Sequence, residues 1–163
     1  MTLSSLNTQA PSGYFQTPFG TIALYDNGEF VMGLRFGPLH CLPPKPTRLT
    51  SETVRQLRLY FSQAHFRFNL PLQLKGTPFQ RRVWEHMQQI PWGQVTRYCD
   101  VAQHLGSSAR AVGGACGANP VPIIVPCHRV VATNGLGGYL RHNDSSESLG
   151  IKRWLLEHEH AQW

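Results

Sequence analysis

A cysteine and a histidine lie side by side in the apolar segment Ile123–Val131, which reads Ile-Ile-Val-Pro-Cys-His-Arg-Val-Val. The packing of a hydrophobic core does not require that pair. A thiol is a strong nucleophile as the thiolate, and an imidazole that accepts its proton populates that form near neutral pH. Cys127 is therefore the candidate nucleophile, and His128 is the candidate base.

The backbone restricts how Cys127 and His128 can cooperate. Neighbouring side chains of an extended strand point to opposite faces, so the pair needs a bend or a bridging water. Pro126 and the upstream Asn119-Pro-Val-Pro122 favour a bend, because proline fixes φ and asparagine tolerates turn conformations. Without further residues, an inert buried cysteine explains the segment as well as an activated one.

The other cysteines indicate neither disulfides nor a metal site. Cys41, Cys99, Cys116 and Cys127 show no CxxC spacing and no paired rhythm, so we expect reduced thiols. His40 and Cys41 could begin a zinc site, but the N-terminal half offers only one further histidine and no second cysteine. We therefore expect no metal and no other cofactor.

Composition and charge favour a compact, soluble, cytoplasmic protein that binds a polyanion. Of the 163 residues 41% are hydrophobic, which is enough to build a core. No apolar run approaches the roughly 20 residues that cross a bilayer, and the N-terminus lacks a signal-peptide pattern. The net charge of +6 makes nucleic acid the leading partner, although residues 1–74 and 75–163 each carry +3 and do not locate the surface.

Residues 1–74 predict a β-rich domain, and residues 70–76 predict the linker to the next domain. Apolar segments at 21–25 and 30–36 flank Asp26-Asn-Gly-Glu29, and an Asn-Gly pair in that setting is a strong hairpin signal. Thr50 or Ser51 can cap a helix that would cover one face of the sheet. The apolar positions of that helix are Val54, Leu57 and Phe61.

Residues 75–163 predict a mostly helical domain. Thr77-Pro-Phe-Gln80 combines an N-cap, a proline at the first helical position and a glutamine three residues after the cap. Apolar residues then continue at helical spacing until Pro91. Helices over 96–105 and 109–118, separated by Gly106-Ser-Ser108, predict a helix-turn-helix, a motif that also occurs as a plain packing unit.

The second helix of this pair is unusual in composition. It holds three glycines and four alanines, and each glycine costs about 1 kcal/mol of helix stability relative to alanine. Small side chains permit close approach, either to a neighbouring element or to a nucleic acid groove. Arg110 lies at the N-terminal end, where the helix dipole disfavours a cation, so its position favours an intermolecular role.

A last helix over 151–159 follows a loop at 133–138 and the polar segment 141–146. Its pattern places Ile151, Trp154, Leu155 and His158 on one side. Lys152 and Glu159 would then face solvent or a site. Together the elements predict an α+β fold, with an N-terminal β-sheet and its covering helix followed by a helical domain that contains the helix-turn-helix and Cys127.

Three motifs carry a family resemblance. Pro126-Cys-His-Arg129, preceded by Asn119-Pro-Val-Pro122 and Arg110-Ala-Val-Gly-Gly114, resembles the O6-alkylguanine-DNA alkyltransferases, also called methylated-DNA–protein-cysteine methyltransferases. The resemblance covers residues 77–159 in order. It implies that Cys127 takes the alkyl group from O6 of a flipped-out guanine in double-stranded DNA, with His128 activating the thiol through a water and Glu159 orienting His128. Because a thioether has no easy return path, the protein would act once, as a stoichiometric methyltransferase.

The resemblance also implies which residues contact the DNA and the guanine. Asn119 would brace the turn before the active-site segment, Tyr98 would help to rotate the nucleotide out, and Arg110 would fill the vacated stack. The small-residue helix would enter the minor groove, with Ala111 and Gly114 against the DNA. The guanine-binding positions are Tyr98, Pro122, Val130, Tyr139 and Lys152. We expect a monomer that needs no membrane and could bind DNA cooperatively.

Two features depart from the family pattern, and two other functions stay open. Only three residues separate Gly106 from Arg110, fewer than in many members, and the loop over 140–150 is longer than usual, with Leu140 in place of a serine. A non-catalytic binder of alkylated DNA would usually lack the cysteine. A Cys-His hydrolase or transferase acting on small molecules would need neither Tyr98 nor Arg110 and would turn over repeatedly.

Overall fold

A computed structural model describes residues 10–36, 43–63, 65–140 and 145–163. The chain divides into two compact units between Lys75 and Gly76. His40 and Cys41, the only start of a zinc site that the sequence offered, lie outside the described residues. Within the described residues, no helix is long and apolar enough to cross a membrane.

The first unit is built on a three-stranded antiparallel sheet of order β1-β2-β3. Its strands are β1 (Gly13–Thr17), β2 (Gly20–Asp26) and β3 (Val31–Phe36). The predicted hairpin joins β2 to β3: the Asn27 side-chain oxygen accepts from the backbone N–H groups of Glu29 at 3.1 Å and Phe30 at 2.8 Å. Gly28 in this turn has a φ of 88°, which a glycine adopts without strain.

Helix α1 (Arg48–Ser62) packs against β1 and β2, but its predicted cap was wrong. Thr47 is the N-cap: its hydroxyl accepts from the Thr50 N–H at 3.1 Å, and the Thr50 hydroxyl accepts from the Thr47 N–H at 2.9 Å. Both hydroxyls donate to the carboxylate of buried Asp26 at 2.7 Å. A partner on β2 therefore fixes where the helix begins, and local sequence does not show that partner.

The segment expected as a linker is partly held by the sheet. The Val31 N–H donates to the Pro71 carbonyl at 2.8 Å, and the Gln73 N–H donates to the Val31 carbonyl at 3.0 Å. Residues 71–73 thus run alongside β3 within the first unit. Pro71 and the mixed polarity of this segment concealed the pairing in the sequence.

The described part of the second unit consists of helices and one short parallel sheet. The helices are α2 (Pro78–Gln88), α3 (Tyr98–Leu105), α4 (Ala109–Gly117) and α5 (Ser145–His158). Strands β4 (Thr96–Arg97) and β5 (Val130–Val131) pair in parallel. The predicted capping box of α2 is present: the Thr77 hydroxyl accepts from the Gln80 N–H at 3.2 Å, and the Gln80 side chain accepts from the Thr77 N–H at 2.9 Å.

Helices α3 and α4 form the predicted helix-turn-helix. Helix α3 begins at Tyr98 rather than at Thr96, because the two preceding residues pair with β5. It ends at Leu105 and is capped by Gly106, whose φ of 62° lies in the left-handed region that favours glycine. Ser108 then caps α4 by accepting from the Ala111 N–H at 3.3 Å. The tight turn between the helices is therefore complete with three residues.

Helix α5 differs from the prediction in both extent and orientation. It begins at Ser145, so residues 145–150, expected within a long loop, are helical. Its buried positions, together with Glu159 just beyond its end, are Ser148, Ile151, Lys152, Leu155, Leu156 and Glu159. Trp154 and His158 are half-buried and stack on each other at 5.0 Å. Facing solvent was therefore the wrong alternative for Lys152 and Glu159, because both charges have partners inside the unit.

Candidate active site

Cys127 lies at the start of a bend. Residues Cys127–Arg129 form one turn of 3-10 helix, in which the Arg129 N–H donates to the Pro126 carbonyl at 3.0 Å. Asn119 supports the approach to this turn: its side-chain nitrogen donates to the Val125 carbonyl at 2.8 Å, and its oxygen accepts from the Val121 N–H at 3.0 Å. The bend that the sequence required is thus present, and Asn119 is hydrogen-bonded to the segment that leads into it.

The thiol of Cys127 is buried, with 2% of the residue exposed. Burial raises the pKa of Cys127, while hydrogen bonds from Asn119 and Tyr139 and the positive charge of Lys152 act in the opposite direction. The balance leaves the pKa above its ordinary value. At neutral pH the group is therefore a thiol, and its use as a nucleophile requires a base.

His128 is placed to be that base. The side chain is fully buried, and its Nε2 lies 2.8 Å from Oε1 of Glu159. Burial lowers the pKa of His128 even though Glu159 acts to raise it, so the imidazole is neutral. A neutral ring that donates to Glu159 from Nε2 keeps the lone pair on Nδ1. Nδ1 makes no hydrogen bond to any residue that the structure describes.

Arg129 is a member of the site that sequence reasoning missed. Its guanidinium donates to both carboxylate oxygens of Glu159, at 2.8 and 2.9 Å, and to the Ile90 carbonyl at 2.7 Å. Burial acts to raise the pKa of Glu159, but His128 and Arg129 hold it well below its usual range. Because Arg129 already balances the carboxylate charge, His128 need not be protonated. The Pro-Cys-His-Arg motif contained this arginine, but its partner lies 30 residues away.

Lys152 is fully buried and holds the loop before Tyr139 in place. Its Nζ donates to the carbonyls of Val130 at 2.6 Å, Leu136 at 2.6 Å and Gly138 at 2.9 Å. It also lies 3.4 Å from the Tyr98 hydroxyl, which itself donates to the Gly138 carbonyl at 3.0 Å. Burial lowers the pKa of Lys152 to about 8, so it is still predominantly charged at neutral pH.

A cavity of about 630 Å³ lies in front of Cys127. Its lining includes Tyr98, Gly113, Cys116, Gly117, Cys127 and Tyr139. Of the predicted guanine-binding positions, Tyr98 and Tyr139 line this cavity, whereas Pro122, Val130 and Lys152 are buried outside the lining. Gly137 also lines it, with a φ of 70° and a position where a Cβ would lie 2.8 Å from the Tyr98 ring. Only glycine suits that close approach.

The predicted DNA-contacting residues of α4 lie apart from this cavity lining. Arg110 and Ala111 are exposed in the first turn, and Gly114 is half-buried in the next. The Arg110 side chain makes no hydrogen bond or ion pair with any described residue. The structure therefore assigns Arg110 no role in holding the second unit together.

The described residues contain no group of three or more His, Cys, Asp or Glu side chains that could hold a metal ion. Cys99, Cys116 and Cys127 are free thiols. The chemistry available is thus that of a thiol beside a neutral imidazole, at the edge of a helix-turn-helix. These features define a class of protein in which a cysteine nucleophile is coupled to a nucleic acid-binding motif.

Comparison with known proteins identifies the family. Residues 78–161 match the family described as 6-O-methylguanine DNA methyltransferase, DNA binding domain. A methylated-DNA–protein-cysteine methyltransferase of Metallosphaera sedula is 36% identical over 152 residues, which cover 90% of this chain and 91% of that protein. The chain belongs to the methylated-DNA–protein-cysteine methyltransferase family.

Two further relatives support this assignment. A probable methylated-DNA–protein-cysteine methyltransferase of Acanthamoeba polyphaga mimivirus is 49% identical over 106 residues, covering 63% of this chain and 67% of that protein. The crystal structure of Mycobacterium tuberculosis OGT in complex with DNA superimposes with a TM-score of 0.77 at 37% identity. That superposition covers 90% of this chain and 92% of the other. The likeness extends over the first unit as well as the second.

Proposed function

We propose that this protein repairs DNA by transferring a methyl or other alkyl group from O6 of guanine to Cys127. The observation that carries the proposal is the arrangement of Cys127 at the cavity with His128 beside it, kept neutral by burial and oriented by its hydrogen bond to Glu159. Relatives named methylated-DNA–protein-cysteine methyltransferase and a DNA-bound structural neighbour support the same substrate.

The reaction begins with proton transfer from the Cys127 thiol, through a water, to Nδ1 of His128. The resulting thiolate attacks the alkyl carbon, so that an S–C bond forms and the C–O6 bond breaks. The electron pair of the broken bond stays on O6, and the guanine takes up a proton to return to its unmodified form. Glu159 stabilises the imidazolium that forms transiently. No step regenerates the thiol, so each molecule accepts one alkyl group.

The target base must leave the duplex, because a paired guanine keeps O6 inside the stack. The cavity beside Cys127 receives the flipped nucleotide, with Tyr98 assisting rotation and Arg110 filling the gap. Ala111 and Gly114 allow α4 to approach the minor groove closely. The cost of extrusion is a few kcal/mol, and a stacked guanidinium offsets part of it.

The remaining predicted residues have positioning roles in this proposal. Asn119 holds the bend that presents Cys127, and Lys152 fixes the loop that carries Tyr139. Pro122 and Val130 support the guanine pocket from behind its lining. The partner is double-stranded DNA carrying O6-alkylguanine, and the protein acts as a monomer in the cytoplasm without metal, cofactor or membrane.

The stoichiometry of transfer tests the proposal. The protein is mixed with an excess of duplex that carries a radiolabelled O6-methylguanine, and protein-bound label is followed to completion. We expect a plateau at one methyl group per molecule. Release of more than one equivalent of product per protein molecule would favour the alternative of a Cys-His hydrolase or transferase that turns over repeatedly. Binding of the duplex without any transfer would favour a non-catalytic binder of alkylated DNA.

A further inference from the structure

A second buried thiol lines the cavity, and the proposed reaction does not use it. Cys116 lies on the buried side of α4 with 6% of the residue exposed, and its sulfur lies 3.6 Å from the thioether of Met87. It lines the same cavity as Cys127. None of the described residues in that lining carries a charged side chain. The strongest unused nucleophile inside the cavity is therefore a cysteine.

Asn119 connects the two cysteines. Its backbone N–H donates to the Cys116 carbonyl at 3.2 Å, and its side-chain nitrogen donates to the Val125 carbonyl at 2.8 Å, two residues before Cys127. A negative charge on Cys127 would act to raise the pKa of Cys116, beside the larger effect of burial. Cys116, from α4, and Cys127, from the 3-10 turn, thus line one cavity.

We propose that Cys116 is a second acceptor, which captures the far carbon of a bifunctional alkyl group after Cys127 has taken the near carbon. The substrate is an O6-alkylguanine whose alkyl group carries a leaving group on its second carbon, and an O6-(2-haloethyl)guanine is the probe for it. This inference rests on the proposed function of Cys127. The new element is the role of Cys116, which would trap a transferred group that stays reactive and could otherwise attack the DNA.

The chemistry balances without any further reactant. After the first transfer, Cys127 carries a 2-haloethyl thioether. Its sulfur displaces the halide from the second carbon, which gives a three-membered sulfonium ring and a halide ion. The sulfur of Cys116 attacks a ring carbon, forming a new C–S bond and breaking one C–S bond of the sulfonium. The Cys116 proton and the halide leave to solvent, so the product is a two-carbon thioether bridge between Cys116 and Cys127.

The cavity favours Cys116 over water in the second step. Burial raises the pKa of Cys116, so it is a neutral thiol that does not compete with Cys127 for the first carbon. A sulfonium cation beside it favours loss of the thiol proton at the moment when a nucleophile is needed. Well-oriented intramolecular reactions reach effective molarities of roughly 10⁵ M or more, which no water molecule in the cavity can match.

Peptide mapping by mass spectrometry tests this inference on the wild-type chain. The protein is treated in parallel with a duplex containing O6-methylguanine and with one containing O6-(2-chloroethyl)guanine, used immediately after preparation. We expect a methyl group on Cys127 from the first duplex. From the second we expect a cross-linked peptide pair joining Cys116 and Cys127, with neither chlorine nor added oxygen. Cys116→Ser should replace this bridge by a hydroxyethyl group on Cys127 or by a protein–DNA cross-link.

Three results overturn the second acceptor while leaving methyl transfer intact. They are a hydroxyethyl group on Cys127 with Cys116 unmodified, no reaction with the chloroethyl duplex, and a bridge to Cys99, which also lines the cavity. Cys99→Ser is the matched control, because the bridge should still map to Cys116. Absence of methyl on Cys127 from the first duplex would instead reject the proposed function itself.

Discussion

The network behind Cys127 and the first turn of α4 are built in opposite ways. His128, Arg129 and Glu159 are joined by hydrogen bonds of 2.8 to 2.9 Å, and the charge of the buried carboxylate is matched by Arg129. Arg110, in contrast, is exposed and bonded to no described residue. The groups proposed to take part in the reaction are thus fixed in the protein without DNA, whereas the residue proposed to enter the duplex stays available. Changes in the first region should affect stability and reaction together, and changes in the second should affect only the reaction with duplex DNA.

The largest effect is expected from removing the sulfur of Cys127, which should abolish transfer without preventing DNA binding. Cys127→Ala removes the sulfur and should abolish alkyl transfer completely. Binding to duplex carrying O6-methylguanine should persist, because the helix-turn-helix and its surface are unchanged. Labelled DNA measures the loss of transfer, and fluorescence anisotropy measures the affinity that should be retained. Residual transfer by this variant would show that another residue is the acceptor.

A change in the buried network should strongly destabilise the fold. Glu159→Gln leaves the guanidinium of Arg129 buried without its counter-charge, and breaking a buried pair in this way costs ~3–5 kcal/mol. Urea denaturation measures the loss, and the transfer rate should fall with it. Glu157→Gln is the matched control, since Glu157 is exposed near the end of α5 and should shift stability by less than ~0.5 kcal/mol. Equal effects of both variants would contradict the structural importance of the network.

The pH dependence of transfer should show that His128 is a buried neutral base. An exposed histidine titrates near pH ~6.5, and burial lowers the pKa of His128 below that value. The transfer rate should therefore fall on the acid side only below pH ~6.5, where the neutral ring is lost. In the same window the unfolded chain binds more protons at this residue than the folded one. This residue's contribution therefore makes stability rise with pH up to ~6.5.

Two variants refine this test. His128→Gln should remove the acid limb assigned to His128 and leave a slow rate that rises with pH, because deprotonation of the thiol would then depend on hydroxide. Lys152→Gln, which removes the positive charge near the thiol, should leave the acid limb in place. An acid midpoint at or above pH ~6.5 in the wild type would contradict a neutral, buried His128.

The smallest expected effect belongs to the exposed region. Arg110→Ala should slow transfer from duplex DNA by roughly tenfold, which corresponds to loss of about 1.4 kcal/mol of stacking. Transfer from single strands, where no stack has to be opened, should hardly change. Stability should change by less than ~0.5 kcal/mol, as for Arg153→Ala, an exposed arginine on α5. Equal losses on duplex and single strands would count against intercalation.

Local signals in the sequence predicted much of the second unit. The capping box at Thr77, the turn at Gly106 and the bend between Asn119 and Cys127 follow from residue types a few positions apart. The family resemblance then added Glu159 as the partner of His128. In the structure, Oε1 of Glu159 lies 2.8 Å from Nε2 of His128. The features that were predictable depend on short-range backbone chemistry or on an unusual motif.

Long-range pairing accounts for what the sequence did not predict. Arg129 pairs with Glu159, 30 residues further along the chain, and Lys152 donates hydrogen bonds to the carbonyls of three separate residues. Asp26 sets the start of α1 from a neighbouring strand. In each case a charged residue that would ordinarily face solvent is buried by partners that no local window contains. On α5, Ile151 and Leu155 are buried as expected, whereas Lys152 and Glu159, expected to face solvent or a site, are fully buried.

The most direct test of the central claim is to locate the alkyl group after reaction. The wild-type protein is reacted with one equivalent of duplex containing O6-methylguanine, digested, and mapped by tandem mass spectrometry. The structure predicts one added methyl group on Cys127, with Cys99, Cys116 and His128 unmodified and guanine restored in the DNA. A methyl group on any other residue, or intact methylguanine beside unmodified protein, would contradict the assignment of Cys127 as the acceptor.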